Sequence, residues 1–271
     1  MSPDVAADPS ATVARVKRWY HCIEVAPGVV TPGLFDLRPV VERMPWPDVR
    51  GLRCLDVGTA DGFLAFELER RRAGEVVALD IPDPEDWDWE AHTARSGPEY
   101  VRAVAGPELG AGLRTARELR GSAVTVTSGS VYDLDPARLG TFDVVVCGSL
   151  LLHLRDPLRA LTAIRSVCRG RLLCTNQLDL GRTVTHPRTP LFRLDGVSGI
   201  TQWWIPNAAG HRRMLRAAGF KVERVSRPYS IPFGPAHPPR GMSPRALGHT
   251  LTQLVVTGGR GVPHLAVLAR A

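Results

Sequence analysis

One stretch of the chain joins an apolar strand-like run, a glycine-containing turn and a helix-like run. The three parts are RCLDV, GTADG and FLAFELERRR. A tight turn of this kind lets backbone N–H groups at a helix start approach a ligand closely. A second strand-like run, EVVALD, ends in Asp80, eighteen residues after Gly62. An acidic residue at this distance is well placed to bind ribose hydroxyls, so the pair predicts a nucleoside-containing ligand.

Strand-like and helix-like segments alternate along most of the chain after this stretch. Runs of consecutive apolar residues, such as EVVALD and FDVVVCG, are typical of parallel strands that are buried on both faces. The alternation predicts an α/β fold with a doubly wound, mostly parallel sheet. Residues 1–50 lack this rhythm and are rich in Pro and Gly. We therefore predict an N-terminal extension or lid over 1–50 and a binding domain over 51–271 with an insertion at 82–121.

Composition narrows the class of partner. The formal net charge of +7 would fit a nucleic-acid ligand. However, all but two of the 34 basic residues are arginine, and they are scattered without forming a basic arm. A nucleic-acid substrate is therefore disfavoured without being excluded. The five cysteines form no CxxC pair, so we expect reduced core cysteines and no metal site.

The same sequence carries no sign of a membrane span or a secretory signal. No apolar run reaches the roughly 18 residues that a transmembrane helix needs. The first residues, MSPDVAADPSAT, have neither a basic nor an apolar signal region. We expect a cytoplasmic protein without a membrane partner, and the sequence predicts no oligomeric state.

The glycine turn itself indicates which cofactor to expect. It matches neither the phosphate-binding GxxxxGK[ST] pattern nor the dinucleotide-binding GxGxxG pattern. Asp56 precedes Gly58 by two residues, and a carboxylate there suits an ammonium group or an ordered water better than a pyrophosphate. A cofactor with an amino-acid end and a ribose end would satisfy both Asp56 and Asp80.

Four segments in series resemble the motifs of class I S-adenosylmethionine-dependent methyltransferases. They are LDVGTADGFLAFEL, VVALD, SGSVYDL and TFDVVVCGSLLLHLRDPLRAL, and they span about residues 52–175. The resemblance implies a Rossmann-like, seven-stranded sheet and S-adenosyl-L-methionine as cofactor. A narrower resemblance, to the tRNA wobble-uridine (carboxy)methyltransferase-like group, is carried by WYHCIEVAPGVVTPGLFDLR, DWDW and WWIPNAAGHRRMLRAAGF.

The class resemblance implies a set of cofactor contacts. Asp56 and Gly58 would line the methionine end, and Asp61 would either contact the methionine amino group or cap the following helix. Asp80 would bind both ribose hydroxyls. Gly62 would lie at the turn into the first helix, and the adenine pocket would be formed by Ile81, Ser130, Val131 and Tyr132. At the end of the fourth strand, Cys147, Gly148 and Ser149 would face the sulfonium and the substrate.

Two histidines are the catalytic candidates. His153 lies four residues after Ser149 and titrates near neutrality, so it is either a base or substrate contact or a structural histidine. His21, with Tyr20, either closes the methionine end or packs. Trp203 and Trp204 either offer a stacking surface to a flat substrate or pack within the protein.

These features predict the transfer of a methyl group to an oxygen atom of a small-molecule acceptor. A role in secondary metabolism would fit such a reaction. The wobble-uridine group has a Tyr before the motif His, where this chain has Leu152, and it uses Lys near the cofactor carboxylate. The chain's two lysines, Lys17 and Lys221, give no obvious match. Methylation or carboxymethylation of tRNA stays an alternative, and a non-catalytic methyltransferase-like binding protein is a second one.

Overall fold

The computed structural model describes residues 8–106, 108–197, 201–238 and 253–271, so residues 1–7 of the predicted extension lie outside it. The strands are β1 Glu24–Ala26, β2 Val29–Val30, β3 Arg53–Val57, β4 Glu75–Asp80, β5 Thr125–Ser128, β6 Phe142–Gly148, β7 Cys168–Gln177, β8 Phe192–Leu194, β9 Trp204–Pro206, β10 Lys221–Val225, β11 Tyr229–Ile231 and β12 Val262–Arg270. The α-helices are α1 Pro9–Arg15, α2 Phe63–Arg70, α3 Ala91–Arg95, α4 Pro98–Ala105, α5 Ala111–Arg120, α6 Pro136–Leu139, α7 Pro157–Val167, α8 Leu180–Thr185 and α9 Ala208–Ala217.

A single large sheet organises these elements. Seven strands follow one path in the order β10-β12-β7-β6-β3-β4-β5, and β11 also pairs with β12. Strands β3 to β7 are parallel to one another, whereas β12 runs antiparallel to β7, β10 and β11. The predicted α/β class with a Rossmann-like, mostly parallel sheet is confirmed. The order reverses between β3 and β6, where doubly wound sheets bind their ligands.

Both faces of the sheet are covered by buried side chains. Because neighbouring residues of a strand point to opposite faces, Leu55 joins one apolar cluster and Cys54 the other. Helices α7 and α9 contribute Leu161 and Leu215 to the first cluster. Helices α2 and α5 contribute to the second. The consecutive apolar residues that predicted buried parallel strands therefore pack on both sides.

The N-terminal residues pack onto the same face as α5. Trp19 is almost fully buried in that cluster, and its indole N–H donates to the carbonyl of Val13 over 3.1 Å. Trp19 also contacts the backbone of Gly112 in α5, where an added Cβ would lie 3.2 Å from the indole. Residues 82–121 hold α3, α4, α5 and a short 3-10 turn, Pro84–Asp86. Across the described ranges, no helix is both long and apolar enough to cross a bilayer.

Candidate active site

A cavity of about 1280 Å³ opens at the carboxyl ends of the parallel strands. Its walls come from the loops after β3, β4 and β6, from the end of β7, from residues 18–37 and from residues 260–264. Because parallel strands all end at the same edge, distant parts of the chain meet there. Sequence-predicted residues that line it are Tyr20, His21, Asp56, Gly58, Asp61, Asp80, Ile81, Val131, Tyr132, Gly148, Ser149 and His153.

Asp80 connects the ends of β3 and β4. Its Oδ2 accepts a hydrogen bond from the N–H of Ala60 over 2.7 Å, and its Oδ1 accepts one from the N–H of Ile81 over 2.8 Å. Ala60 adopts a φ of +49°, an uncommon conformation for a residue with a Cβ, which aims its N–H at the carboxylate. A carboxylate has about four acceptor positions, so two stay available for a vicinal diol. Burial raises the pKa of Asp80.

Asp56 is buried beneath the same turn. Its Oδ2 accepts a hydrogen bond from the hydroxyl of Thr59 over 2.7 Å. Burial raises its pKa to about 7, and the negative charge of Asp80 adds to the effect. Gly58, at a φ of +73°, lets the turn close, and an added Cβ there would lie 3.0 Å from the side chain of Leu150. The Asp56 carboxyl therefore changes from neutral to charged near pH 7, and its charged form favours a positively charged ligand group beside the turn.

The raised pKa of Asp56 predicts a pH-dependent difference in stability between the wild type and Asp56→Asn. The folded-state pKa lies above the unfolded value of about 3.9, so the wild type loses stability as pH rises from about 4 to about 7. The variant lacks this titration. We expect its free energy of unfolding, relative to wild type, to improve by about 3 kcal/mol over that range.

Urea denaturation at several pH values measures this difference. Taking the difference between two proteins with the same histidines cancels the titration of those histidines. A relative free energy of unfolding that does not change with pH would contradict the assignment of a raised pKa to Asp56.

Asp61 binds the N-terminal segment and does not cap the helix. Its Oδ2 accepts hydrogen bonds from the backbone N–H groups of Tyr20 and His21, the latter over 3.0 Å. The residue at the N-cap of α2 is Gly62, which has no side chain to cap with, so the helix-cap alternative for Asp61 is wrong. Gly62 itself lies behind the turn at a φ of +89°, where an added Cβ would lie 2.5 Å from Leu113. Burial raises the pKa of Asp61 to about 6.

The predicted adenine side combines β4, the loop after β5 and the insertion. Ile81, Val131 and Tyr132 line the cavity there, together with Trp87. Trp87 stacks on Trp89 with ring centres 5.5 Å apart. Ser130 does not line the cavity, and its adenine contact stays a prediction. Its hydroxyl accepts a hydrogen bond from the N–H of Tyr132 over 3.2 Å at the start of the 3-10 turn Val131–Asp133.

Tyr132 fastens the insertion to the rest of the site. Its hydroxyl donates to Oδ2 of Asp88 over 2.5 Å and accepts from the N–H of Asp156 over 3.1 Å. The same Asp88 oxygen accepts from the N–H of Arg155 over 2.6 Å. The acidic, Trp-containing stretch is therefore held against the segment that follows β6.

Removing the Tyr132 hydroxyl is expected to loosen this attachment. We expect Tyr132→Phe to lower the free energy of unfolding by about 1–2 kcal/mol, because Asp88 and the Asp156 N–H each lose a partner. Tyr100→Phe, at a half-exposed position of α4, is the matched control and should change stability little. Thermal or urea denaturation measures both. Equal stability of the two variants would contradict a fastening role for the hydroxyl.

The end of β6 places Gly148 and Ser149 in the cavity wall but not Cys147. The thiol of Cys147 is fully buried in the apolar cluster, so its predicted cofactor contact is corrected. This follows from the alternation of side chains along the strand. Ser149 adopts a φ of +52°, and its N–H donates to the carbonyl of Thr175 over 2.9 Å.

Both histidines predicted from the sequence line the cavity, and both are partly buried. His153 Nδ1 lies 2.8 Å from the carbonyl oxygen of Thr201, so Nδ1 carries the proton in this contact. Burial lowers its pKa. Burial also lowers the pKa of His21, to about 3, and its Nδ1 has no hydrogen-bond partner within the described ranges. Both imidazoles are therefore neutral at physiological pH.

The two adjacent tryptophans do not form a stacking surface in the cavity. Trp203 donates its indole N–H to the carbonyl of Asp88 over 2.7 Å, and the guanidinium of Arg155 lies 4.9 Å over its ring. Trp204 donates its indole N–H to the carbonyl of Arg155 over 3.1 Å. Both rings brace the segment after β6, so the packing alternative describes them, and Thr201 and Gln202 reach the cavity instead.

His264 is the site residue that sequence reasoning missed. Its Nε2 lies 2.9 Å from the hydroxyl of Ser149, and its Nδ1 lies 2.8 Å from the carbonyl oxygen of Val262. Burial lowers its pKa to about 4. The signal was available in principle: His264 lies near the start of the apolar C-terminal run. The start of an antiparallel strand lies beside the carboxyl ends of its parallel neighbours, here at Gln177.

Three carboxylates, two of them buried and one partly buried, and a diol-sized acceptor position define the chemistry that the site fits. Asp56, Asp61 and Asp80 gather negative charge where a bound ammonium or sulfonium would be stabilised. The two unused acceptor positions of Asp80 match ribose hydroxyls. Together with the Rossmann-like sheet, this arrangement is that of a class I S-adenosylmethionine-dependent methyltransferase. When bound, the cofactor supplies an activated methyl group.

Comparisons with known proteins give the family. The methyltransferase domain model matches residues 35–225, and the chain belongs to this methyltransferase family, with S-adenosyl-L-methionine as its cofactor. The chain is 27% identical over 227 residues to a ubiquinone biosynthesis O-methyltransferase of Xanthomonas axonopodis pv. citri (strain 306), covering 79% of this chain and 80% of the relative. A protein of the same description from Xanthomonas euvesicatoria pv. vesicatoria (strain 85-10) gives the same figures.

Solved structures share the fold. A chain from the complex between the Haloferax volcanii Trm112 methyltransferase activator and the putative methyltransferase superposes with a TM-score of 0.51 at 17% identity, covering 85% of this chain and 86% of that one. The N-terminal domain of EvdMO1, crystallised in the presence of SAH and D-fucose, gives 0.50 at 17% identity, covering 97% and 95%. Identities this low indicate a common architecture only.

Proposed function

We propose that the protein transfers a methyl group from S-adenosylmethionine to a hydroxyl oxygen of a small molecule. The observation that carries the proposal is the cavity of about 1280 Å³, whose wall includes both the cofactor residues and an aromatic part with Phe35, Phe233 and His237. Pockets for one small ligand usually measure roughly 300–1,000 Å³, so this volume suits a cofactor together with an acceptor of modest size. The description of the Xanthomonas relatives as O-methyltransferases supports oxygen as the acceptor atom.

The aromatic part of the cavity wall favours a flat, hydroxylated aromatic acceptor. Phe35 and Phe233 lie there with ring centres 6.2 Å apart, and His237 packs against Phe233 at 3.9 Å. Leu37 and Ile231 add apolar surface. Aromatic rings arranged in this way bind flat apolar groups through their faces and edges. Secondary metabolism is a setting in which such acceptors are methylated, and we extend the proposal to it.

In this proposal, residues 1–50 act as a lid over the binding domain of residues 51–271. The support is the pair of hydrogen bonds from the backbone of Tyr20 and His21 to Asp61 in the cofactor turn. The insertion at 82–121 forms a second wall through Trp87, which lines the cavity. The proposed site residues lie beneath these two covers.

Methylation or carboxymethylation of tRNA is the main rival. Its anion clamp would need a lysine at the cofactor carboxylate. Lys17 instead lies 3.4 Å from Glu108 at the surface, and Lys221 is on the outer strand β10. Neither side chain lines the cavity. A cavity of about 1280 Å³ that is partly covered by residues 20–37 also suits a free small molecule better than a folded nucleic acid.

Transfer of a radiolabelled methyl group tests the proposal. The purified protein is incubated with labelled S-adenosylmethionine and, separately, with catechol and related phenols, with the matched anilines, and with total tRNA at low salt. We expect label on the phenols. Transfer confined to anilines or to tRNA would overturn the proposal. Binding of the cofactor without transfer to any acceptor would favour the non-catalytic alternative.

A further inference from the structure

We propose that Ser149 and His264 form a proton relay that takes up the proton of the acceptor hydroxyl. This inference rests on the proposed function, because it assigns residues to oxygen methylation. The observation behind it is the contact between Ser149 Oγ and His264 Nε2, 2.9 Å apart in the wall of the cavity. The two residues lie 115 positions apart, and only the antiparallel insertion of β12 beside β7 brings them together.

The hydrogen bonds of His264 fix the direction of the relay. The carbonyl oxygen of Val262 lies 2.8 Å from Nδ1 and can only accept, so Nδ1 carries the proton. In a neutral imidazole the other nitrogen is then an acceptor, so Ser149 donates its hydroxyl proton to Nε2. The hydroxyl oxygen keeps its lone pairs for a second donor, and a hydroxyl of an acceptor in the cavity is a donor of the required kind.

The position of both side chains is held by their surroundings. The ring of Tyr229 stacks on His264 with centres 6.1 Å apart, and the Tyr229 hydroxyl is bound to Thr175 over 2.6 Å. Ser149 keeps a φ of +52°, which costs a residue with a Cβ on the order of 1 kcal/mol. Strain that is retained beside a cavity is typical of residues placed for function.

The proposed step balances in atoms and charge. The acceptor O–H proton passes to Ser149 Oγ as the Ser149 proton passes to His264 Nε2, and the acceptor oxygen forms the new O–CH₃ bond. The bond between the methyl carbon and sulfur breaks, and its electron pair stays on sulfur to give the thioether. One positive charge is lost at sulfur and one appears on the imidazole, which later releases its proton to solvent.

Several groups face His264 from the elements packed around it. Ser149 is in contact with it at the end of β6, and Tyr229 stacks on it from β11 with Arg43 lying 5.9 Å from that ring. From α9, the neutral, buried His211 interacts electrostatically with it. From the segment before β12, Gln253 and Arg260 line the same part of the cavity. Burial lowers the pKa of His264 to about 4, although the hydrogen bond to the carbonyl of Val262 acts in the opposite direction, so the imidazole is a free proton acceptor at neutral pH.

Steady-state kinetics of His264→Asn with catechol as acceptor tests the relay. We expect kcat to fall by about 10²–10³-fold with a smaller change in KM, since a positioned base contributes about that factor. The wild-type rate should be level from about pH 6 to 8. The variant rate should rise about tenfold per pH unit, because only the ionised phenol, with a pKa of about 10, then reacts. Ser149→Ala should share this pH profile.

His186, which is exposed and does not line the cavity, provides the control, and His186→Asn should retain the wild-type rate and profile. A wild-type kcat and a level profile in His264→Asn would overturn the relay while leaving oxygen methylation intact. Absence of transfer to any phenol by the wild type would instead overturn the proposed function.

A second readout does not depend on activity. Long-range ¹H–¹⁵N NMR at pH 7 should show His264 protonated at Nδ1 and not at Nε2, and this signal should be lost in His264→Asn. A proton on Nε2 in the wild type would overturn the relay, because Ser149 would then have no acceptor for its proton.

Discussion

Replacing Asp80 by asparagine is expected to weaken binding of S-adenosylhomocysteine by at least about 100-fold. The carboxylate accepts from two backbone N–H groups, of Ala60 and Ile81, and each bond to a charged acceptor contributes about 1.5–3 kcal/mol. An amide has only one oxygen, so its NH₂ group would face one of these donors. The variant would also lose one of the acceptor positions that we assign to the ribose.

Isothermal titration calorimetry measures this loss, and Asp83→Asn is the matched control. Asp83 lies three residues further along, is exposed, and accepts a hydrogen bond from the N–H of Glu85 over 2.9 Å. The same chemical change there should leave the dissociation constant within about twofold. A change of less than about threefold in Asp80→Asn would rule out Asp80 as the main cofactor ligand.

Replacing Asp61 by alanine is expected to lower the free energy of unfolding by about 2–4 kcal/mol and to release the N-terminal segment. The carboxylate is buried and accepts from the N–H groups of Tyr20 and His21. Both donors would lose their partner, and an unpartnered buried donor costs about 1–3 kcal/mol. Asp61→Asn keeps one acceptor oxygen and should lie between the variant and the wild type.

Urea denaturation measures the stability of these variants, and limited tryptic digestion reports on the segment itself. Cleavage after Lys17 and Arg18 should become faster in Asp61→Ala. Asp48→Ala, which breaks an exposed ion pair with Arg50, serves as control and should behave as wild type. Wild-type resistance to trypsin in Asp61→Ala would show that other contacts, such as the burial of Trp19, suffice to hold the segment.

The fold and the cofactor turn were predictable because their signals are local. A buried parallel strand needs consecutive apolar residues, and RCLDV, EVVALD and FDVVVCG supply them within a few positions of one another. The turn GTADG and Asp80 are close in sequence and lie on neighbouring strands. Sequence order therefore translates directly into spatial order for this part of the molecule.

The rest of the candidate site depends on contacts between distant residues and on side-chain direction. No local pattern shows that Asp61 binds the backbone at residues 20 and 21, or that His264 meets Ser149. Cys147 and Ser130 belong to the correct motifs, yet the strand alternation turns the first into the core and a local hydrogen bond occupies the second. Trp203 and Trp204 bind backbone carbonyls that only the folded chain brings near.

The late position of β12 in the chain has a consequence for biosynthesis. This strand fills the gap between β7 and β10 and carries His264, yet it comprises residues Val262–Arg270. During translation, the ribosome releases all the remaining described strands of the sheet before β12. Until β12 is released, β10 has no partner in the sheet. A nascent chain therefore has an open sheet edge beside an incomplete site, and both are closed by the same nine residues.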